Sequence, residues 1–382
     1  MHEREAQKIL IKILCAELNG REDSGLASGL TPELLEAVYR LAKAQDLAHV
    51  VSDFVYRNGV ESGALDDKLQ KEAFLSVYRR EQLRYAFDEA CAALDTASVV
   101  YLPLKGSVIR PYYPSEGMRT SCDVDILIHE EDMDTAIGAL KARGFERGER
   151  SYHEVSLYSP NGVHLELHFS IRENTQALDA VLEDVWQYAA VDKGCRYALS
   201  RDFFVFHMYA HMAYHFLAGG CGLRALMDIW VMENRMEAPY SLAEDLLKKS
   251  GIHAFAKEMS RLSHVCFSEQ EDDAFSELLL QYLYRGGVYG SRENNVAVDQ
   301  SGRRGTFSYI IRRLFLPYRA MAMIYPSLKK APVLLPVFWV VRWGDALFKG
   351  KSKSMAREIA CASNLSEERI QEIRILRSRL EI

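Results

Sequence analysis

Leu104–Ile128 reads LKGSVIRPYYPSEGMRTSCDVDILI, and its last six residues, Asp123–Ile128, decide the fold. In DVDILI two acids alternate with apolar residues before an apolar run begins. That is the pattern of a strand with one polar and one buried face. Side chains two apart share a face, so Asp123 and Asp125 project one way while Val124, Ile126 and Ile128 pack the other. Two carboxylates roughly 6–7 Å apart on one face suit a pair of hard cations, which take oxygen ligands.

The residues just upstream supply a complement. SVVYLPLKG predicts a strand entering a turn, where Gly106 lets the backbone approach an anion and the hydroxyl and N–H of Ser107 donate to it. Lys105 and Arg119 add positive charge. The intervening RPYYPSEGM carries two prolines and a glycine and is long enough to wrap a ligand. Phosphate at the turn and metal at the acids is the pairing that phosphoryl or nucleotidyl transfer needs.

Downstream, EEDMDTAIGALKARGF predicts a helix closed by Gly144. HEVSLYS and VHLELHFSI predict a hairpin turning at Asn161–Gly162. In its second strand Glu166 shares a face with His164 and His168, with Leu165 and Leu167 opposite. If this strand neighbours DVDILI, Glu166 completes a three-carboxylate cluster. Three alternate residues of one strand rarely converge on a single tetrahedral ion, so His168 reads better as a partner that orients a carboxylate.

Helices flank this mixed segment, which defines an α+β fold rather than a regular doubly wound sheet. Residues 1–95 form an N-terminal helical domain. There, Thr31 and Pro32 open a helix running to Asn58–Gly59, and a second helix spans DKLQ through DTA. Residues 96–178 form the catalytic core, and 179–382 a C-terminal helical region. SRDFF to ENRM gives two helices separated by Gly219, Gly220 and Gly222. His207, His211 and His215 recur every four residues on the first; such rows serve packing more often than metal binding. If that helix covers the sheet, His211 and His215 line the acceptor side of a cleft, and Arg224 pairs with Asp228 or reaches a phosphate. LLLQYLYRGGVYGSRENN predicts a helix running into an exposed loop.

Composition narrows the class further. Of 382 residues, 48% are hydrophobic and 26% charged, enough for a globular protein with an ample core. Seven scattered cysteines without a C-x-x-C pair argue against a disulfide framework or a cysteine zinc site, and for a reducing compartment. With a charged N-terminus and no ~20-residue apolar run, the expectation is a cytoplasmic chain, peripheral to a membrane if its tail binds one. That tail, 303–357, holds twelve Lys or Arg and one acid, Asp345, in a chain of formal net charge −6. Such asymmetry suggests an anionic partner, a membrane surface or RNA, or else a basic rim on a packed helical segment. Pro317, Pro326, Pro332 and Pro336 break any spanning helix.

The Gly-Ser turn, the loop, Asp-x-Asp in a strand and a carboxylate in a later strand resemble the polymerase-β-like nucleotidyltransferase superfamily. LKG…YP…R…CDVDILI…A…L…GF, with VHLELHFSI and HMAYHF…LRALMDI, looks more closely like the uncharacterised bacterial nucleotidyltransferase family NTP_transf_5. The resemblance implies a small mixed sheet with helices. It also implies Mg²⁺- or Mn²⁺-dependent transfer of a nucleoside monophosphate from an NTP to a hydroxyl or phosphate acceptor, with pyrophosphate released. On that resemblance Gly106 and Ser107 hold the triphosphate, Asp123 and Asp125 bind metal, and Glu166 is the third carboxylate, where the superfamily most often has Asp. The alternatives from the residues themselves are an NTP sensor without turnover and a membrane- or RNA-associated scaffold acting through 303–357.

Overall fold

DVDILI becomes β2 (Asp123–Ile128), the middle strand of a seven-stranded mixed sheet, because both of its faces are covered. The computed structural model describes residues 2–382 apart from 174, 269, 289, 303–313, 349–356 and 358–359. Before the sheet come α1 (His2–Asn19), α2 (Ser24–Ser28), α3 (Pro32–Ala44), α4 (Ala48–Arg57) and the long α5 (Asp66–Thr96). Next are β1 (Tyr101–Pro103), the one-turn α6 (Gly106–Ile109), β2 and α7 (Met133–Ala142). Then follow β3 (Glu146–Arg150), β4 (Glu154–Tyr158), β5 (His164–His168), α8 (Gln176–Leu182), β6 (Ala189–Lys193) and β7 (Arg196–Leu199). The C-terminal region has α9 (Arg201–Leu217), α10 (Gly222–Asn234), α11 (Glu244–Lys249), α12 (His253–Phe267), α13 (Ala274–Gly286) and α14 (Arg292–Ser301). Further helices lie at Tyr318–Ile324, Leu335–Phe348 and Glu367–Leu380.

The strand order is β3-β4-β5-β2-β1-β7-β6. β2 runs parallel to β5 and antiparallel to β1, in a register that sets Asp125 opposite Glu166 and Asp123 opposite His164. Val124, Ile126 and Ile128 pack with Leu165 and Leu167 against α5 and α7. Leu127, on the face of the two acids, joins Leu102 and Leu104 in a second core with the helices. That core takes side chains from α1, α3 and α4 together with α9, α10, α12 and α13, so the helices from the two ends of the chain share one apolar interior. Each fully buried Leu or Phe there contributes about 1.5–3 kcal/mol of transfer free energy.

Several elements differ from the sequence reading. The single helix expected from Pro32 to Asn58 breaks into α3 and α4 at Gln45–Leu47, where Asp46 takes a positive φ of 54°. Tertiary bonds hold the break: Gln45 Nε2 donates to the Tyr284 carbonyl at 3.1 Å, and Gln45 Oε1 accepts from Leu223 N–H at 3.0 Å. The predicted helix start stands, with Thr31 Oγ1 accepting from Leu34 N–H at 3.3 Å. β6 and β7, in a stretch read as helical, extend the sheet beyond β1, and β3 adds an edge on the far side. The predicted hairpin is β4-β5, closed by Pro160, Asn161 and Gly162, the last at φ 81°. The loop after α13, expected to be exposed, instead meets the α9–α10 turn backbone to backbone: a Cβ on Gly219 would stand 2.8 Å from the Ser291 carbonyl oxygen. Arg303, Arg304, Arg312, Arg313, Lys349, Lys351 and Lys353 of the basic tail lie outside the described residues. Among the described residues no helix is long and apolar enough to cross a membrane.

Candidate active site

The β1–β2 pairing builds the site. Leu104 N–H donates to the Asp125 carbonyl at 3.1 Å, so the chain turns away at Lys105 directly beside Asp125. Lys105 has φ 44°, a conformation that costs a non-glycine residue about 1–3 kcal/mol. The turn brings its ammonium 3.0 Å from Asp125 Oδ1. On the other side His168 Nε2 donates to the same oxygen at 3.0 Å and stands 3.3 Å from Glu166 Oε2. Burial alone would raise the Asp125 carboxyl, but Lys105 and His168 outweigh it and hold the group well below the usual carboxylate range. Burial would lower His168, yet Asp125 and Glu166 push it up to about 9. Burial raises Glu166, and the Asp125 charge adds to the effect.

Asp123, Asp125, Lys105 and Gly106 open onto a cleft of about 240 Å³ whose opposite wall is α9 and α10. His211, His215, Arg224 and Asp228 line that wall. Ser107 and Glu166 are not among the lining residues. The Ser107 N–H is used internally, donating to the Leu104 carbonyl at 3.1 Å. Glu166 lies behind Asp125, with the His168 imidazole bonded to both. Ligand atoms of Asp125, Glu166 and His168 lie within 4.8 Å of one another, as do those of His153, Glu154 and His168.

Arg119 serves the frame. Its guanidinium makes a two-pronged pair with Asp228, Nε to Oδ1 at 2.9 Å and Nη2 to Oδ2 at 3.0 Å, and both side chains are buried. Tyr113 donates its hydroxyl to Asp228 Oδ1 at 2.6 Å. Asp228 is therefore engaged by Arg119, and Arg224 donates to the Thr120 carbonyl at 3.0 Å and lies 3.6 Å from Asp46. Gly106 is small for a reason: a Cβ there would press on Arg119 Nη1 at 3.3 Å.

Two clusters escaped the sequence reading. Glu154 pairs in register with His168, a neighbour that the hairpin register alone would have given. Glu173, in the irregular stretch after β5, accepts from or donates to His211 Nδ1 at 2.9 Å, and no periodicity announces it. His211 Nε2 in turn lies 3.0 Å from His215 Nε2. His207, one turn earlier, is buried, and its pKa is lowered to about 3, mainly by desolvation.

A mixed sheet carries the Asp-x-Asp strand beside a Lys-Gly turn, with helices closing the cleft, as the family resemblance implied. A family model described as an uncharacterised nucleotidyltransferase matches residues 32–268, and the chain belongs to that family. Among solved structures, the solution structure of the antibiotic-resistance factor ANT(2'')-Ia is similar, with 12% identity and a TM-score of 0.33, over 49% of this chain and 97% of that one. None of the curated proteins matches the chain.

The donor set fits a divalent cation. Asp125 is held ionised, and Asp123 shares its face at the same cleft. Carboxylate oxygens of this kind are the ligands that Mg²⁺ and Mn²⁺ prefer.

Proposed function

We propose that this chain transfers a nucleoside monophosphate from an NTP to an acceptor hydroxyl or phosphate. The observation that carries the reading is the shared cleft: Asp123 and Asp125 on one strand face, the Lys105–Gly106 turn beside them, and α9 and α10 opposite. Asp123 and Asp125 hold Mg²⁺ or Mn²⁺, which when bound neutralises charge on the phosphates and on the leaving pyrophosphate. Lys105 presents a cation next to this pair, and Gly106 allows the triphosphate to lie close to the backbone. Glu166, joined to Asp125 through His168, tunes the charge of the metal-binding carboxylate from behind.

The test uses NTP labelled at the α- or γ-phosphate, Mg²⁺ or Mn²⁺, and a cell extract as the source of acceptor. Wild type should move α-label only. Asp123→Asn should lower that transfer more than about 100-fold with an unchanged circular dichroism spectrum. Movement of γ-label would mean a kinase-type reaction. Metal-dependent NTP binding with no transfer would favour a sensor.

A second reading concerns the C-terminal segment. Val333, Val337, Val340 and Val341 are exposed, whereas Trp339 and Trp343 meet the Phe315 ring edge to face and donate to the Leu316 and Leu314 carbonyls. Outward valines on a segment whose sequence is basic suit an anionic membrane surface better than RNA, for which outward aromatic rings are needed. Co-sedimentation with phosphatidylserine vesicles should occur and should weaken when Val337, Val340 and Val341 are changed to Ser. Binding of RNA instead would overturn this reading.

A further inference from the structure

His215 lies on α9 facing the cleft that also holds Asp123 and Asp125, and it is the end of a hydrogen-bonded row. Glu173 Oε1 is 2.9 Å from His211 Nδ1, and His211 Nε2 is 3.0 Å from His215 Nε2. The two imidazoles meet at 83° with centroids 4.4 Å apart, an N–H···N arrangement rather than a stack. Glu173 is fixed in place, its own N–H donating to Asp179 Oδ1 at 2.8 Å. Its side chain is only 14% exposed.

This geometry imposes a rule on the protons. The two Nε2 atoms cannot both carry hydrogen, so one ring donates to the other and their tautomers are linked. With Glu173 ionised, His211 donates from Nδ1 to the carboxylate and accepts at Nε2 from His215. His215 is then left with a lone pair on Nδ1. With Glu173 protonated every bond reverses, and Nδ1 of His215 carries a hydrogen.

The geometry points to a proton relay, Glu173–His211–His215, that removes the proton of the attacking acceptor hydroxyl at His215 Nδ1 and delivers a proton to Glu173. The inference rests on the nucleotidyl-transfer reading of the cleft. As the acceptor oxygen bonds to the α-phosphorus and the bond to pyrophosphate breaks, the acceptor O–H proton passes to His215 Nδ1. The His215 Nε2 proton passes to His211 Nε2, and the His211 Nδ1 proton to Glu173. One carboxylate becomes one carboxylic acid, with both rings neutral before and after. His215 is the catalytic residue here; His211 and Glu173 are positioning residues that set its tautomer.

The electrostatics agree. Burial, reinforced by Lys105, lowers His215 to about 4 and puts His211 well below the ordinary histidine range, so both rings stay neutral. Burial raises Glu173 to about 7, where a proton acceptor works best near neutrality. The charged and titratable groups around Glu173 are Lys105, His153, His168, Asp179, His211 and Tyr214. Around His215 they are Lys105, Asp125, His211, Tyr214 and Arg224.

The test begins with the full chain labelled with ¹⁵N-histidine and titrated by NMR from about pH 5.5 to 8.5, without nucleotide or metal. His211 and His215 should exchange their protonated nitrogens together, with one midpoint near 7, and Glu173→Gln should abolish the exchange. In the α-label assay, His215→Asn should lower kcat about 100-fold or more with KM for NTP little changed. Glu173→Gln should flatten the pH profile, and Glu173→Asp should restore part of it. Rings that do not switch together, or wild-type transfer that His215→Asn leaves intact, would overturn the relay alone. Absence of α-label transfer by the wild type would instead overturn the transferase reading, and the relay's role with it.

Discussion

Glu173 gives up water to sit against α9, and that leaves a thermodynamic signature. Its carboxyl moves from 4.5 to about 7 on folding, chiefly by desolvation, with Lys105 opposing. Between those values the folded chain binds a proton that the unfolded chain does not. Its contribution to stability is therefore complete below pH 4.5 and is lost as the pH rises through 7. Across that window the stability of wild type relative to Glu173→Gln should fall by up to about 3 kcal/mol, read from urea unfolding at a series of pH values. Parallel curves for the two proteins would contradict it. Neither this residue nor the positive φ of Lys105 was legible in the sequence. Glu173 sits in an aperiodic stretch and finds His211 only through the fold. The shared face of Asp123 and Asp125, and that of Glu166 with His164 and His168, was legible because alternation fixes a strand face whatever the tertiary context.

At the scale of elements, the turn between α9 and α10 determines how the cleft wall is seated. Gly219, Gly220 and Gly222 have φ of 118°, 136° and 67°, and Gly219 and Gly220 pack against the end of α13 and the backbone that follows it. Gly220→Ala meets both a forbidden φ and the Cα of Gly286, so a loss of more than about 1 kcal/mol is expected in urea unfolding. A neutral result would show that the two turns separate easily. The sequence marked these glycines as a break between helices but not what they touch. It also missed β6 and β7, and the reason is physical. Along β6 no side chain is buried, so an edge strand of this kind carries no alternation to read. The break between α3 and α4 was hidden likewise, because Gln45 is held by residues 178 and 239 positions away.

For the molecule as a whole, charge is divided as sharply as structure. The segment 303–357 carries nearly all its charge as Lys and Arg, while the rest of the chain is acidic enough to bring the total to −6. Each basic residue near an anionic surface contributes about 1 kcal/mol, within a screening length of about 8 Å at physiological salt. Vesicle binding should therefore drop steeply between low salt and about 0.5 M. Binding indifferent to salt would mean that the valines alone hold the surface.

The segment between the Lys105 turn and β2 is fastened at every few residues. Arg110 donates to the Arg119 carbonyl and to Ser121, His49 donates to the Met118 carbonyl, Thr120 to Asp46, Arg224 to the Thr120 carbonyl, and Arg119 and Tyr113 clasp Asp228. Though long enough to wrap a ligand, it behaves as a rivet through both walls of the cleft. On the proposed reading, this segment meets a nucleotide as a preset wall, already anchored before anything binds, and not as a flap that folds over it.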